Sequence, residues 1–299
     1  MKCYLPEGMG SCQNSFTPEL LRKAKSEGMI LQAPAMVCTE QHDLLVDLGS
    51  CTGRIPRKET SIDIAQGSAR DIAILSRVGR PVSFRVTDVP SNGMPTLSRR
   101  LAQEEARCHF FENKCPGDII PAVVTSLASF GAFCDIGCGL PALMGIESIS
   151  VSRIRHSRDR FREDQQIFAI IQSMDPETGR IQLSHRELLG TWEENAAQFQ
   201  PGQTVTGIVR SIKDYGAFVE LTPNLSGLAD PNFDLQPGDA VSVYIKAILP
   251  DRLKIKLVAL RKLDPSTMAA KPLHYFRTAG HMDHWCYGTE GFAKTVTVF

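Results

Sequence analysis

In two short segments of the sequence, a Gly-Ala dipeptide separates two aromatic residues: FGAF at 130–133 and YGAF at 215–218. Aromatic rings exposed on a protein surface stack on unpaired nucleic-acid bases, at about 1–3 kcal/mol per base and with little preference for base identity. The competing interpretation is that the rings close the open end of a hydrophobic core. The candidate stacking residues are Phe130, Phe133, Tyr215 and Phe218.

Both segments lie within an internal repeat, which indicates that one folding unit occurs at least twice. GDIIPAVVTSLASFGAFCDI at 117–136 matches GQTVTGIVRSIKDYGAFVEL at 202–221, and FAIIQSMDPETGRIQLS at 168–184 matches VYIKAILPDRLKIKLV at 243–258. The last copy is shorter in its middle connection, where loops absorb such differences. Apolar and polar residues alternate at period 2 between turn residues, which predicts short strands closed into small barrels.

The alternation also predicts where the aromatic rings point. In the predicted strand YGAFVEL the small and aliphatic residues take the core, and Phe218 faces outward. Gly216 permits a bulge or sharp bend that brings Tyr215 onto the same outer face. Residues 130–133 repeat this arrangement in the other copy.

A third and earlier copy is visible in weaker form, because QHDLLVDLG at 41–49 parallels the segment around FGAF. His42 and Leu45 stand at the positions of the two aromatics, and Met94 stands where the later copy has Arg180. We expect this copy to keep its barrel without binding RNA, and to dock onto a protein partner through outward apolar surface such as Leu45. The alternative is a barrel that only packs against its neighbour.

Basic residues near the predicted aromatic faces could hold phosphate groups, although 33 Lys and Arg residues balance 33 Asp and Glu residues. A phosphate binder usually carries an excess of positive charge, so the distribution of the cations must decide. Equivalent strand positions hold Arg180 and Lys254, and strands predicted to flank the aromatic pair hold Lys213 and Lys246. The loop RIRHSRDRFR forms a local basic patch with Arg153, Arg155, Arg158, Arg160 and Arg162. The alternative for each cation is an ordinary solvated side chain.

The amino-acid composition narrows the class of protein to which this chain can belong. The 299 residues are 42% hydrophobic and 22% charged, which fits a folded chain of two or three compact units. No run is apolar for long enough to span a bilayer, and the first residues lack the apolar stretch of a signal peptide. The 9 cysteines show no disulfide-framework spacing, which favours reduced thiols. We therefore expect a cytoplasmic protein with no membrane partner.

No motif in the sequence nominates a catalytic or metal site. P-loop, GxSxG and HExxH patterns are absent, and no carboxylate pair stands out as general acid and base. Cys134 aligns with a core position of the repeat, while His281, His284 and Cys286 lack a second Cys/His pair at zinc-site spacing. We therefore predict no enzyme activity, no cofactor and no metal. An RNA-processing activity within 264–299 is the alternative.

The repeat resembles the S1 RNA-binding domain, a module of the OB-fold class. The resemblance rests on the pattern GxxVxGxVxxIxxYGAFVEL in the last copy and on the closing DPETGRIQLS of the copy before it. The connector LLGTWEENAAQFQPGQ and the segment after it also resemble short forms of the bacterial ribosomal protein S1 family. The resemblance covers roughly 30–262 and is most specific over 108–262.

The repeat and the resemblance together imply an all-β fold of tandem five-stranded OB-fold barrels joined by short helices. Helix signals support the connectors, since Thr191 and Glu194 form a capping-box pattern and Gly28 could end a helix that starts after Thr17. The predicted barrels are 30–98, 116–187 and 201–262, the helical segments are 1–29, 99–115 and 188–200, and 263–299 is an extension of unknown role.

As partners, the resemblance implies messenger RNA or other single-stranded RNA, in or near translation on the small ribosomal subunit. The RNA face of the family uses two aromatics, a histidine after the third strand, and an acidic and a basic residue before the last strand. The histidine is absent here, because Gly145 and Asp230 occupy its two positions. By position the face comprises Phe130, Phe133, Asp175 and Arg180 in the second barrel, and Tyr215, Phe218 and Lys254 in the third. The alternative is a scaffold that docks onto the ribosome or an RNA-decay complex without gripping RNA.

Overall fold

The computed structural model describes residues 4–10, 15–230, 235–264, 273–288 and 295–299. This part of the chain contains three closed five-stranded barrels, so the predicted all-β fold of tandem barrels joined by short helices is confirmed. In each barrel the first strand pairs with the second and fourth, and a parallel pairing of the third and fifth strands closes the ring. Within the same residues, no helix is long and apolar enough to cross a membrane.

The first barrel follows helix α1 (Pro18–Glu27), whose ends match the sequence signals. Thr17 accepts a hydrogen bond from the Leu20 N–H, and Gly28 ends the helix in the left-handed conformation. Two four-residue helices, α2 (Ile62–Ala65) and α3 (Ile72–Leu75), lie between the third and fourth strands. The strands are β1 (Ile30–Cys38), β2 (Leu44–Asp47), β3 (Thr52–Ile55), β4 (Pro81–Asp88) and β5 (Thr96–Ser98).

Helix α4 (Arg99–Asn113) joins the first barrel to the second and is anchored by a buried ionic cluster. The Nε of Arg99 lies 2.7 Å from Glu7 Oε1, and the Glu7 N–H donates to the carboxylate of Asp135. Burial, together with the nearby Glu7 carboxylate, raises the pKa of Asp135 to about 7. The cluster fixes the helix and the N-terminal segment against the second barrel.

The second and third barrels are joined by a short helix, α5 (Trp192–Ala196), with the reciprocal Thr191 and Glu194 cap that the sequence predicts. Cys134 is fully buried, which confirms it as a core thiol, and burial raises its pKa to about 12. The second barrel comprises β6 (Ile119–Ala128), β7 (Gly131–Asp135), β8 (Pro141–Gly145), β9 (Gln166–Asp175) and β10 (Arg180–Ser184). The third comprises β11 (Thr204–Lys213), β12 (Gly216–Thr222), β13 (Leu225–Ala229), β14 (Ala240–Leu249) and β15 (Lys254–Leu263).

Polar contacts tie the second barrel to the third. Glu220 on β12 accepts hydrogen bonds from Arg160, in the loop between β8 and β9, and from Arg210 on β11, with a shortest distance of 2.8 Å to each. The three side chains are almost fully buried. In addition, the Val151 N–H donates to the side-chain oxygen of Asn224 at 3.0 Å. The two barrels therefore meet through a fixed joint and not through a free linker.

The C-terminal extension packs against this joint, a placement that the sequence did not predict. Its strand β16 (His284–Cys286) pairs with β17 (Val296–Val298). Trp285 and Tyr287 are buried and belong to the hydrophobic cluster that fills the third barrel. The extension therefore contributes to the core of the two-barrel unit.

A buried histidine also holds the extension in place. Nε2 of His185 lies 3.0 Å from the Tyr275 hydroxyl, and its Nδ1 lies 2.9 Å from the carbonyl of Ile149. Burial lowers the pKa of His185 to about 4, so the ring is neutral near neutral pH. A neutral ring can donate from Nδ1 to the carbonyl while Nε2 accepts from the tyrosine hydroxyl.

Candidate nucleic-acid interface

The two predicted aromatic pairs lie at the surface and share one geometry, with the second ring of each pair half-buried. Phe130 and Phe133 form an edge-to-face pair with ring centroids 6.0 Å apart, and Tyr215 and Phe218 repeat it at 6.2 Å. The leading ring is open to solvent in both pairs, with 57% of Phe130 and 64% of Tyr215 exposed. We call each pair a stacking platform; one lies on the second barrel and one on the third.

The glycine after the leading ring allows a neighbouring strand to approach closely. Tyr215 lies in the two-residue turn before β12. The sequence suggested a bulge near Gly216, but the shift in strand register lies on the opposite strand β11, between Val209 and Ser211. Gly216 has a φ of +147°, and a Cβ there would lie 2.6 Å from the carbonyl oxygen of Ala229. A larger residue would therefore push β13 away from the aromatic strand.

Outward side chains lead from the third-barrel platform to the last strand of that barrel. Phe218 pairs with Leu228 on β13, and Leu228 pairs with Lys256 on β15. Lys256 is exposed on the same face as Lys254, but the sequence analysis missed it. A signal was available, because at period 2 the residue two positions after Lys254 must share its face. Two lysines thus accompany this platform.

The second barrel has a different residue in the corresponding row. Phe133 pairs with Leu143, and Leu143 pairs with Gln182, so the cation of this face is Arg180 at the start of β10. Asp175 pairs with Arg180 across the hairpin. The Asp175 carboxylate accepts hydrogen bonds from the threonine hydroxyl and two backbone N–H groups of the turn, and these bonds lower its pKa. Its carboxylate therefore closes the turn.

The two other predicted strand lysines differ in their placement. Lys213 ends β11 opposite Gly216 and so lies beside the turn that holds Tyr215. Lys246 is exposed on β14, whose partners are β11 and β15. The prediction that its strand flanks the aromatic pair is wrong. Around the closed barrel, β11 separates β14 from the aromatic strand β12 on one side, and β15 and β13 separate them on the other.

A cleft of about 650 Å³ adjoins the platform of the second barrel. One wall includes Phe133 and Arg180, and the other includes Gln103 and Arg107 of helix α4. Arg107 lies over Gly179, where a Cβ would be 3.3 Å from the Arg107 Nη1. Among the residues that the structure describes, Arg107 has no ion-pair partner within 4.0 Å. The sequence marked this stretch only as a helical linker, because nothing in its pattern shows which barrel the side chain faces.

The predicted basic loop contains both exposed and buried arginines. Arg160, which the sequence grouped with the others, turns inward to Glu220 and is unavailable to a phosphate, so this part of the prediction is wrong. The loop packs close to the platform, since the Ser157 hydroxyl donates to the Ala128 carbonyl at 2.8 Å. The exposed members, which form no ion pair within the described part of the chain, include Arg153, Arg155 and Arg158.

The geometry agrees with a comparison against known families. Residues 115–186 match the family described as "S1 RNA binding domain". The second barrel is an S1 domain. The third barrel repeats its strand order, its aromatic pair and the cation at the start of its last strand.

Two relatives that match about three quarters of the chain are ribosomal proteins that carry the S1 name. Over 238 residues the chain is 29% identical to the small ribosomal subunit protein bS1 of Leuconostoc lactis, covering 73% of this chain and 54% of that protein. It is also 29% identical over 252 residues to bS1 of Staphylococcus aureus strain COL, covering 76% of this chain and 62% of that protein. The chain therefore spans between about half and two thirds of the length of these relatives.

One solved structure gives a distant likeness over most of the chain. A multidomain protein with nucleic acid binding domains from Streptococcus pneumoniae is 13% identical, with 78% of this chain and 73% of that chain covered. The TM-score is 0.26, which is too low to support an argument.

The first barrel presents a different face at the position of an S1 platform. Leu45 pairs with Arg54 on β3, and Arg54 pairs with Thr96 on β5. The Arg54 Nη1 lies 3.6 Å from an Asp43 carboxylate oxygen, which offsets its charge. Met94, at the position of the expected cation, is 43% exposed. That this barrel docks onto a protein and does not bind RNA stays a prediction.

Proposed function

We propose that this chain binds single-stranded RNA, messenger RNA in particular, across the stacking platforms of its second and third barrels, and that it acts in translation on the small ribosomal subunit. The observation that carries the proposal is the repeated exposed aromatic pair with a cation beside it. The S1 match and the likeness to bS1 support the link to translation. We also propose that the chain acts in the cytoplasm without catalysis, as three barrel domains with the boundaries that the sequence predicts.

Stacking and phosphate contacts account for the expected binding energy. Each base stacked on a ring contributes about 1–3 kcal/mol without regard to base identity, and each phosphate contact releases counterions. Because the chain has no net positive charge, we expect micromolar or weaker affinity and little sequence preference.

The direct test is a fluorescence-anisotropy titration of the full chain with a labelled, unstructured RNA at several salt concentrations. We expect binding that weakens as salt rises and that is similar for RNAs of different sequence. An absence of binding at the lowest salt concentration contradicts the proposal.

The exposed arginines of the loop are expected to add charge without adding specificity. Replacing Arg153, Arg155 and Arg158 together by glutamine should flatten the dependence of log affinity on log salt, by about 0.7 for each phosphate contact that is lost. The measurement is the slope of the RNA titration over a salt series. If the slope equals that of the wild type, the three arginines make no contact with RNA phosphates and are simply exposed to solvent.

Arg107 is expected to contact RNA that lies in the cleft of the second barrel. Its replacement by glutamine should weaken RNA binding about three- to tenfold for all sequences alike and reduce the salt slope by about 0.7. The matched control is Arg22→Gln, which removes an exposed arginine from helix α1. Equal losses in the two variants would show that only total charge matters and that the cleft is not a binding groove.

A second candidate function is a scaffold that docks onto proteins of the ribosome or of an RNA-decay complex. It is favoured by exposed apolar side chains on the first barrel, among them Val37 at 50% and Ile72 at 68% exposure. If the affinity for RNA changes neither with salt concentration nor on replacement of the platform aromatics, this candidate is favoured over RNA binding at the platforms.

A further inference from the structure

Three metal-binding side chains meet where the C-terminal extension touches the second barrel. His281 Nδ1 lies 2.9 Å from Asp118 Oδ1 and 3.9 Å from Cys115 Sγ. One potential ligand atom from each residue lies within 4.8 Å of the others. Thiolate sulfur, imidazole nitrogen and carboxylate oxygen are the three donor types that Zn²⁺ takes from proteins. This convergence differs from the His281, His284 and Cys286 set considered from the sequence.

The histidine ring is oriented as in many zinc sites. While Nδ1 faces Cys115 and Asp118, Nε2 lies 3.2 Å from a carboxylate oxygen of Asp283. A metal-bound histidine commonly donates its other ring N–H to such a carboxylate, which fixes both the tautomer and the ring orientation. Asp283 therefore supports metal binding through Nδ1.

The third barrel shows that the fold does not require the cysteine and the aspartate. There, Gln200 and Gln203 occupy the positions of Cys115 and Asp118 in the repeat. The Gln200 N–H donates to the Gln203 side chain at 2.9 Å, just as the Cys115 N–H donates to Asp118 at 3.2 Å. An amide oxygen thus closes the turn equally well, and the metal-binding residue types occur only where His281 approaches.

A glycine makes that approach possible. A Cβ on Gly117 would lie 2.5 Å from the Met282 carbonyl oxygen and 2.7 Å from His281 Cε1. The backbone is paired at this point, since the Met282 N–H donates to the Gly117 carbonyl and the Ile119 N–H donates to the Gly280 carbonyl. The ligands are therefore held by two hydrogen-bonded segments and not by free loops.

We propose that Cys115 Sγ, Asp118 and His281 Nδ1 bind one Zn²⁺ ion, with the fourth position taken by water. On binding, the Cys115 thiol releases its proton to solvent, and His281 gives up the Nδ1 proton that it donates to Asp118, while its other ring N–H donates to Asp283. The Nδ1 lone pair freed in this way binds the metal. The bound ion connects the C-terminal extension to the turn that precedes β6 of the second barrel.

The test is a zinc titration of the full chain, stripped with a chelator under reducing conditions, against a zinc-binding dye. We expect one site whose affinity falls at least about tenfold in Cys115→Ser, His281→Asn and Asp118→Asn. Asp118→Asn keeps an acceptor for the Cys115 N–H, so it separates loss of a ligand from loss of the turn. Zinc should also slow alkylation of Cys115, measured by mass spectrometry of its peptide.

Two matched variants control for adventitious zinc. Cys108→Ser removes an exposed thiol from helix α4, and His284→Asn removes a neighbouring exposed histidine. Both should bind zinc as the wild type does. The proposal is overturned if the wild type binds no zinc, or if the ligand variants and the control variants lose affinity equally.

Discussion

Replacing Phe130, Phe133, Tyr215 and Phe218 together by alanine is expected to weaken the binding of unstructured RNA at least about tenfold, the largest loss that we predict for binding. Four rings that each contribute about 1–3 kcal/mol make tenfold a lower bound. The leading rings are more than half exposed, and Phe133 and Phe218 are half-buried outside the hydrophobic clusters of the two barrels, so their loss should leave the barrels folded. Anisotropy titration measures the affinity, and far-ultraviolet circular dichroism confirms the fold.

Tyr244 provides a matched control for this variant. It is an exposed aromatic residue of the third barrel, 39% exposed, but it lies on β14 away from the aromatic strand. Tyr244→Ala should bind RNA as the wild type does. Wild-type affinity in the folded quadruple variant would exclude stacking as the source of the binding energy.

The largest effect on stability is expected from Glu220→Gln. This change leaves Arg160 buried at the joint without a compensating charge, and leaves Arg210 with only a long contact, 3.9 Å, to the partly exposed Asp159. Removal of one partner from a buried ion pair costs about 3–5 kcal/mol. Urea unfolding followed by tryptophan fluorescence is a suitable measurement. Both tryptophans, Trp192 and Trp285, are buried in the hydrophobic cluster of the third barrel, so the signal reports on the two-barrel unit.

An exposed ion pair of the same barrel serves as the comparison. Lys262 Nζ lies 2.8 Å from an Asp239 carboxylate oxygen, but half of the lysine side chain is exposed. Solvent screens such pairs, so Asp239→Asn should leave the unfolding midpoint close to that of the wild type. If the two variants unfold alike, the charges at the joint do not hold the barrels together.

Much of the fold could be predicted because local patterns and tertiary structure agree. Alternation at period 2 decided which face of each strand is buried, and the same alternation placed Phe218 and Phe133 on the outside. The Thr191 and Glu194 cap depends on a few neighbouring residues, and it formed as its spacing indicates.

Other features depend on contacts between distant segments and have no local signature. Arg160 resembles its exposed neighbours in the sequence, but its partner Glu220 is on another barrel. Lys246 follows the correct alternation, but only the order of strands around the closed sheet shows how far it lies from the aromatic strand. The extension forms three-residue strands, which are too short for a periodic pattern to be recognised.

The joint around Asn224 and Glu220 also determines how long an RNA must be to reach both stacking platforms. Since neither barrel can swing towards the other, the span between the platforms is set by the protein, and an RNA must be long enough to cross it. A short oligonucleotide engages one platform at a time. A longer strand makes its second contact as an intramolecular event at high effective concentration, so avidity begins at a threshold length and does not grow smoothly with each added nucleotide.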